Sequence, residues 1–220
     1  MALPLVHLYV AKKILDSGFT VAAVSQFYLG AISPDAIHMR EKTGRDDKNK
    51  VHLIPEGKKW ITINDTEYCN FLSDFIISNK HRTDINFLLG YGVHILTDMY
   101  WVKDVYQNYL ENYKKDPSPE QEERSAYYND TDILDQMLFN ETDRRKDVWS
   151  YLETSECTGF LDLLSAEEIR LWKERILHWF DTRDFFNKIP LRYITKADVD
   201  NFISGCSEKI GKTGLFSKSA

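Results

Sequence analysis

The sequence has few cysteines, no long hydrophobic run and no excess of positive charge, and each shortage excludes a class of protein. Its three cysteines, Cys69, Cys157 and Cys206, are isolated and form neither a disulfide framework nor a Cys-x-x-Cys metal site. No apolar stretch approaches the roughly 20 residues that span a bilayer. The net charge of −6 argues against a nonspecific nucleic-acid-binding protein that works by neutralising phosphates.

The composition is otherwise that of a globular chain, with 43% hydrophobic residues over 220 positions. This length is enough for one domain with its own core. We predict a single domain over residues 1–210 and a loose tail over residues 211–220. No basic segment and no long apolar segment precede residue 7, so the sequence predicts no targeting signal and a cytoplasmic location.

The hydrophobic periodicity predicts an all-α fold, a compact multi-helix bundle without strands. One helix is predicted from Leu5 to a stop near Gly18, and the next follows Thr20 as its cap. Residues 36–62 are polar and predicted to be irregular. A further helix is expected after Asp65.

The remaining helices are marked by their capping residues. Thr83 or Asp84 begins the longest one, which is predicted to reach Tyr113. Capping sequences at residues 118–121, 165–168 and 195–198 predict three more helix starts.

The segment 90–98, Gly-Tyr-Gly-Val-His-Ile-Leu-Thr-Asp, carries the clearest chemical signal. On a helix, His94 and Asp98 lie one turn apart on the same face, where one metal ion can reach both. A buried carboxylate needs a compensating positive charge, which favours a metal ligand. The alternatives are a solvent-facing His–Asp pair or an Asp that caps a helix.

Other candidate ligands lie in separate segments of the N-terminal half. His7 begins an apolar helical pattern, Asp35 follows the helix-breaking Pro34, and His52 lies in a polar stretch. Three imidazoles and two carboxylates form a ligand set that suits zinc.

These motifs, in this order, resemble the zinc-dependent phospholipase C family, which is related in fold to the single-strand-specific zinc nucleases. The resemblance covers roughly the first half of the chain and implies the all-helical fold of that family. It implies that Asp35, His52, His94 and Asp98 bind a central zinc. It also implies that His7 binds an adjacent zinc that shares Asp98.

The chain departs from the family pattern at both ends of this region. Secreted members use the amino group of their mature N-terminal residue at the His7-type site, whereas this chain begins Met1-Ala2-Leu3-Pro4. Members with three zincs carry a further histidine where this chain has Asp104, and a later His–carboxylate pair is absent. The acidic residues Asp130, Asp132 and Asp135 are the candidates to replace it, so one to three zinc ions are expected.

The predicted function is a zinc-dependent phosphodiesterase, a phospholipase C-like hydrolase. Zinc lowers the pKa of a bound water to near 7, and Asp35 is predicted to orient or deprotonate that water. Arg40, in a basic stretch with Arg45, Lys48 and Lys50, is predicted to hold the phosphate, the alternative being a solvated loop. The expected substrate is a small phosphate ester or a phospholipid head group, without stable nucleic-acid binding.

Two other functions fit the same residues. One is a non-catalytic helical protein with one structural zinc bound by four ligands, and the other is a single-strand nuclease. Among the remaining histidines, His38 is interpreted either as a hydrogen-bonding neighbour of a ligand or as structural. His81 and His178 are interpreted as surface or packing residues.

Overall fold

A computed structural model of the chain describes residues 2–181 and 189–217, and in these ranges it is helical. Eleven α-helices are described: α1 (Pro4–Asp16), α2 (Val24–Ile32), α3 (Arg45–Val51), α4 (Asp65–Asn79), α5 (Ile85–Trp101), α6 (Gln107–Lys115), α7 (Glu123–Phe139), α8 (Thr142–Glu153), α9 (Ala166–His178), α10 (Lys196–Gly211) and α11 (Gly214–Ser217). Short 3-10 segments run over Ser33–Met39 and Trp60–Thr62.

The predicted all-α class is confirmed. The described ranges contain no strand, only one isolated bridge between Phe160 and Leu164. None of the helices described is long and apolar enough to cross a membrane.

Helix α5 is the centre of the bundle. Every residue from Asn86 to Trp101 is buried, because α1, α2, α4 and α10 all pack against it. Its first turn is fixed by the Asp84 side chain, which accepts hydrogen bonds from the backbone N–H groups of Asn86 and Phe87 at 2.7 and 3.1 Å. An N-terminus held in this way sets the rotation of the helix that carries His94 and Asp98.

Two glycines allow α2 and α5 to cross so closely that their backbones are in contact. A Cβ atom on Gly30 would lie 2.1 Å from the carbonyl oxygen of Phe87, and one on Gly90 would lie 1.9 Å from that of Phe27. Any side chain at either position would therefore force the two helices apart. The crossing places the C-terminal half of α2 beside His94.

The predicted long helix continues to Lys115, through a π-helical turn over Val102–Tyr106 that joins α5 to α6. Capping boxes at Ser165 and Thr195 are confirmed, with each side chain accepting from the backbone N–H three residues later. The predicted cap at Ser118 is wrong. Helix α7 begins at Glu123 instead, because Ser118 N donates to Asp116 in a turn.

Thr20 does not cap α2, which begins at Val24 without a side-chain cap. The polar region 36–62 is less irregular than predicted, since it contains α3, the end of the first 3-10 segment and all of the second. Near the C-terminus, α11 buries Leu215 against α4 and α5. The last residues of the predicted tail, 218–220, lie outside the described residues.

Candidate metal centre

All five predicted metal ligands meet in the interior. His7 comes from α1, Asp35 from the 3-10 segment after α2, His52 from the end of α3, and His94 and Asp98 from α5. None is more than 4% exposed. Two overlapping groups, His7–His94–Asp98 and Asp35–His52–His94, each bring their ligand atoms within 4.8 Å of one another. These buried groups could hold a metal ion.

The two oxygens of Asp98 face different histidines. Oδ1 lies 3.5 Å from His7 Nε2, whereas Oδ2 lies 3.6 Å from His52 Nε2 and 3.7 Å from His94 Nε2. On the far side, Asp35 Oδ1 lies 3.4 Å from His52 Nε2. These distances exceed the usual hydrogen-bond length of about 2.7–3.0 Å. They are close to the roughly 3.3 Å that separates neighbouring ligand atoms around a tetrahedral zinc with bonds near 2.0 Å.

The site leaves an unusual number of buried polar atoms without partners. Among the described residues, these five contribute six such atoms: both ring nitrogens of His7, Asp35 Oδ1, His52 Nε2, His94 Nε2 and Asp98 Oδ2. Each unpaired buried group costs about 1–3 kcal/mol, so native proteins contain few of them. A cation between these atoms would satisfy them together, which is the observation that best fits a metal site.

Backbone carbonyls orient two of the imidazoles. His94 Nδ1 lies 2.8 Å from the Ala31 carbonyl oxygen, and His52 Nδ1 lies 2.9 Å from that of Lys48. In the neutral ring each Nδ1 is then the donor, which leaves the Nε2 lone pair for a metal. Ala31 is a contributor that the sequence did not reveal, because a carbonyl has no side-chain signature.

The chain after His52 is held firmly. Leu53 adopts a left-handed conformation with φ of 53°, which a residue with a side chain rarely adopts. The Tyr68 hydroxyl donates to the Leu53 carbonyl at 2.9 Å, and the Tyr91 hydroxyl donates to the carbonyl of Val51. These bonds on both sides fix the end of α3 and therefore the position of the His52 ring.

The start of the chain also reaches the site. The backbone N–H of Ala2 donates to Asp98 Oδ1 at 2.7 Å, and Ala2 is buried. The start Met1-Ala2-Leu3-Pro4 left open whether the amino terminus reaches this metal position, and Met1 lies outside the described residues. The structure places the second residue on the carboxylate that faces His7.

Electrostatics favour ionised carboxylates and neutral rings at His7 and His94, whereas His52 holds a proton more readily. Burial, helped by the neighbouring His94, lowers the pKa of His7 to about 3, and burial also lowers the pKa of His94. Burial raises the pKa of both carboxylates. The close contact with His52 and the nearby imidazoles lower the pKa of Asp35 more, and the amino-terminal charge followed by the imidazoles lowers that of Asp98 more, so both stay below their usual range. For His52, burial lowers the pKa, yet its close contact with Asp35 and the charges of Asp35 and Asp98 raise it overall.

His38 lies at the rim of the site. Its Nε2 is 3.8 Å from Asp35 Oδ1, and 29% of its side chain is exposed. This geometry fits its interpretation as a neighbour of a ligand.

Arg40 is occupied by a protein partner. Its Nε lies 2.7 Å from Glu168 Oε1, and its Nη2 donates to the Leu163 carbonyl at 2.8 Å. A phosphate at Arg40 would have to displace this carboxylate. Its role in substrate binding stays a prediction.

The acidic residues considered as further ligands have other contacts. Asp104 pairs with Lys209 at 2.7 Å near the surface. The carboxylate of Asp130 accepts hydrogen bonds from the backbone N–H groups of Tyr193 and Ile194 at 2.7 and 3.0 Å.

His178, which was interpreted as a surface or packing residue, is exposed and lies 2.9 Å from Asp181.

Fold and site together define a helical protein with buried His/Asp groups that could hold a metal ion. No family model, curated protein or solved structure matches the chain. The resemblance to the zinc-dependent phospholipases C therefore rests on the motifs quoted above.

Proposed function

We propose that this protein is a zinc-dependent hydrolase of a phosphate ester, most simply a phospholipase C-like phosphodiesterase. The observation that carries the proposal is the set of six unpartnered buried atoms from Asp35, His52, His94, Asp98 and His7. Nitrogen and oxygen ligands at these separations suit zinc.

The ligands divide between two positions. Asp35, His52, His94 and Asp98 Oδ2 would hold one ion, and Asp98 Oδ1 with His7 would contribute to a second, as a bridging carboxylate does in two-metal sites. His94 has only Nε2 available, because its Nδ1 is used by Ala31, so it can serve one ion. Two ions that share Asp98 would suit a phosphate ester, whose charged oxygens need positive neighbours.

Zinc in such a site lowers the pKa of water to near 7, which supplies a nucleophile at neutral pH. Hydrolysis of a phosphodiester joins the water oxygen to phosphorus and breaks the bond to the alcohol, which leaves with a proton. Asp35 is the most exposed of the five residues. Its lowered pKa makes it a weak base, so we assign it the orientation of the water by a hydrogen bond.

The test is the variant Asp35→Asn, assayed with an aryl phosphodiester that releases a coloured phenolate. We expect wild-type protein loaded with zinc to hydrolyse the ester, and the variant to lose at least about 100-fold in kcat/KM. Circular dichroism should show unchanged helix content. The matched control is Asp16→Asn, a carboxylate at the surface that pairs with Lys12.

Unchanged turnover by Asp35→Asn would show that this residue has no role in the mechanism. A zinc-loaded wild-type protein without activity would contradict the proposed hydrolase function. Phospholipid head-group analogues and single-stranded DNA, assayed in parallel, separate the phospholipase-like substrate from the nuclease substrate.

Burial favours a second candidate, a non-catalytic protein with a structural zinc. Structural sites are closed, and all five residues here are at most 4% exposed. Metal analysis separates the two, because two zincs per chain fit the hydrolase and a single tightly held zinc without hydrolysis fits the structural role.

A further inference from the structure

A cavity of about 280 Å³ lies between the start of the chain and helix α9. Its wall includes Ala2, whose N–H binds Asp98, and Trp172, whose ring centroid is 5.9 Å from that of His38. His38 in turn lies 3.8 Å from Asp35. None of the five predicted ligands lines the cavity itself, which Ala2 separates from Asp98, and Trp172 and His38 separate from Asp35.

The wall of this cavity is largely aromatic. Trp172 lines it from α9, Trp179 lines it from the position just after α9, and Tyr127 and Tyr128 line it from α7. The Nε1 atom of Trp172 is buried and has no hydrogen-bond acceptor among the described residues. A buried indole N–H normally has a partner, so an acceptor supplied by a ligand would satisfy it.

Arg175 is the cation of this wall. Its guanidinium carbon lies 4.6 Å from the ring centroid of Trp179 and 5.7 Å from that of Trp172, and it forms no ion pair within the described part of the chain. Arg170 on the same helix differs, since it binds Glu167 and Glu174, each at 2.6 Å. Arg40 is also paired. The guanidinium of Arg175 therefore stacks on two indole rings, and its N–H donors are available to an anion.

Arg175 is carried by the helix that packs against the segment of the proposed catalytic carboxylate. Helix α9 packs directly on the 3-10 segment Ser33–Met39, which carries Asp35 and His38.

The opposite wall of the cavity, formed by α7, carries carboxylates. Asp132 and Asp135, both on α7, line the cavity, and Asp135 Oδ1 accepts the N–H of Leu5 at 3.4 Å. The cation of the cavity wall is therefore on α9, at Arg175. An aromatic group attached to the anion would contact the rings of the wall.

We propose that Arg175 binds the anionic group of the substrate at this cavity, and that Trp172 and Trp179 contact a flat aromatic group joined to it. The inference rests on the proposed function for the identity of the reaction, but binding can be measured without turnover. It assigns the phosphate-binding role to Arg175 in place of Arg40. It names the substrate class as an aryl phosphate ester.

The test is a titration of zinc-loaded protein with phenylphosphonate, a non-hydrolysable aryl anion, followed by tryptophan fluorescence. We expect saturable quenching by wild type and about 10- to 100-fold weaker binding by Arg175→Gln. Arg175→Lys should recover part of the loss, because it restores the charge without the fork. The matched control Arg170→Gln removes the same charge from the same helix and should bind within about twofold of wild type.

Zinc content and helix content are measured for every variant, so that loss of metal or of fold is not mistaken for loss of the anion site. Ethylphosphonate is the second probe. Equal affinity for ethylphosphonate and phenylphosphonate would overturn the aromatic part of the proposal. Wild-type affinity in Arg175→Gln, or no saturable binding by wild type, would overturn the role of Arg175.

Hydrolysis distinguishes the two proposals. If binding depends on Arg175 but the protein hydrolyses no ester, the anion site is supported and the proposed hydrolase function is contradicted. If wild type and Arg175→Gln hydrolyse the ester equally well, the hydrolase function is supported and the role of Arg175 in binding the anionic group is contradicted.

Discussion

The imidazoles of His7 and His94 lie face to face, with ring centroids 3.7 Å apart and planes within 5° of parallel. The rings come from α1 and α5, and their Nε2 atoms face different oxygens of Asp98. Two protonated rings would repel each other at this distance. Burial lowers the pKa of both, so both rings are neutral at pH 7, the form that binds metals.

This arrangement predicts unequal effects of the two histidines on zinc content. His94 is one of the four residues assigned to the central ion, whereas His7 and Asp98 Oδ1 alone are assigned to the second position. We expect His94→Ala to lose essentially all zinc and His7→Ala to keep the ion held by the other residues. Inductively coupled plasma mass spectrometry of purified protein measures this directly. His178→Ala is the control, since that histidine lies at the surface. Zinc retained in full by His94→Ala would contradict the role of His94 as a ligand of the central ion.

The raised pKa of His52 predicts a pH dependence of zinc affinity. Without metal, the charges of Asp35 and Asp98 keep a proton on this ring above pH 6.5, despite its burial. Zinc must displace that proton, so its affinity should rise with pH, by up to about tenfold per unit while the ring is protonated, and level off above the pKa.

Competition with a chromophoric chelator between pH 5.5 and 8 measures the affinity. Calorimetry in two buffers with different ionisation enthalpies counts the protons released. An affinity that does not change over this range would show that His52 is already neutral or is not a ligand.

The sequence indicated which His and Asp side chains to consider better than it indicated their surroundings. His94 and Asp98 could be placed together because helical periodicity fixes residues four apart on one face. Pro34 correctly marked the end of α2 just before Asp35. The convergence of α1, α2, α3 and α5 on one point was not readable from spacing, because it depends on the Gly30–Gly90 crossing and on the turn at Leu53.

Residues that contact the site through their backbone could not be predicted, because they have no characteristic pattern in the sequence. Ala2 and Ala31 contact the site through an N–H and a carbonyl, and any residue type carries those groups. Arg175 did have a signal, since it lies three residues after Trp172 and four before Trp179, which is the spacing of helical neighbours. On an amphipathic helix the same spacing is also typical of core packing.

Asp130 gives a prediction that separates stability from metal binding. The sequence made it a candidate ligand, but its carboxylate accepts backbone N–H groups of Arg192, Tyr193 and Ile194. Asn offers one acceptor oxygen where Asp offers two, so Asp130→Asn should lose about 2–3 kcal/mol of stability. At this chain length the midpoint of thermal unfolding should fall by about 5–10 °C.

Zinc content should not change in Asp130→Asn. The control Asp200→Asn removes an exposed partner of Lys196, and its midpoint should stay within about 2 °C of wild type. Loss of zinc by Asp130→Asn at full stability would reverse this assignment and make the residue a ligand.

The close approach of α2 and α5 predicts that Gly90→Ala damages both the fold and the metal centre. The new Cβ would lie 1.9 Å from the Phe27 carbonyl oxygen and 2.9 Å from the Ala31 nitrogen. Backbone atoms cannot move aside as a side chain can, so the helices must separate, at a cost of about 3 kcal/mol. Separation also moves the Ala31 carbonyl away from His94 Nδ1, which removes the bond that orients the ligand.

Gly205→Ala is the matched control, because it adds the same methyl group inside helix α10, where a Cβ would meet nothing within 4 Å. Helix propensity alone should make that variant more stable by about 0.5–1 kcal/mol. Chemical denaturation gives both free energies of unfolding, and a chelator titration gives the zinc affinity of the folded fraction. The crossing positions His94 only if Gly90→Ala weakens zinc binding by about 10-fold or more. A variant that is destabilised but binds zinc as wild type does would show that the glycine serves packing alone.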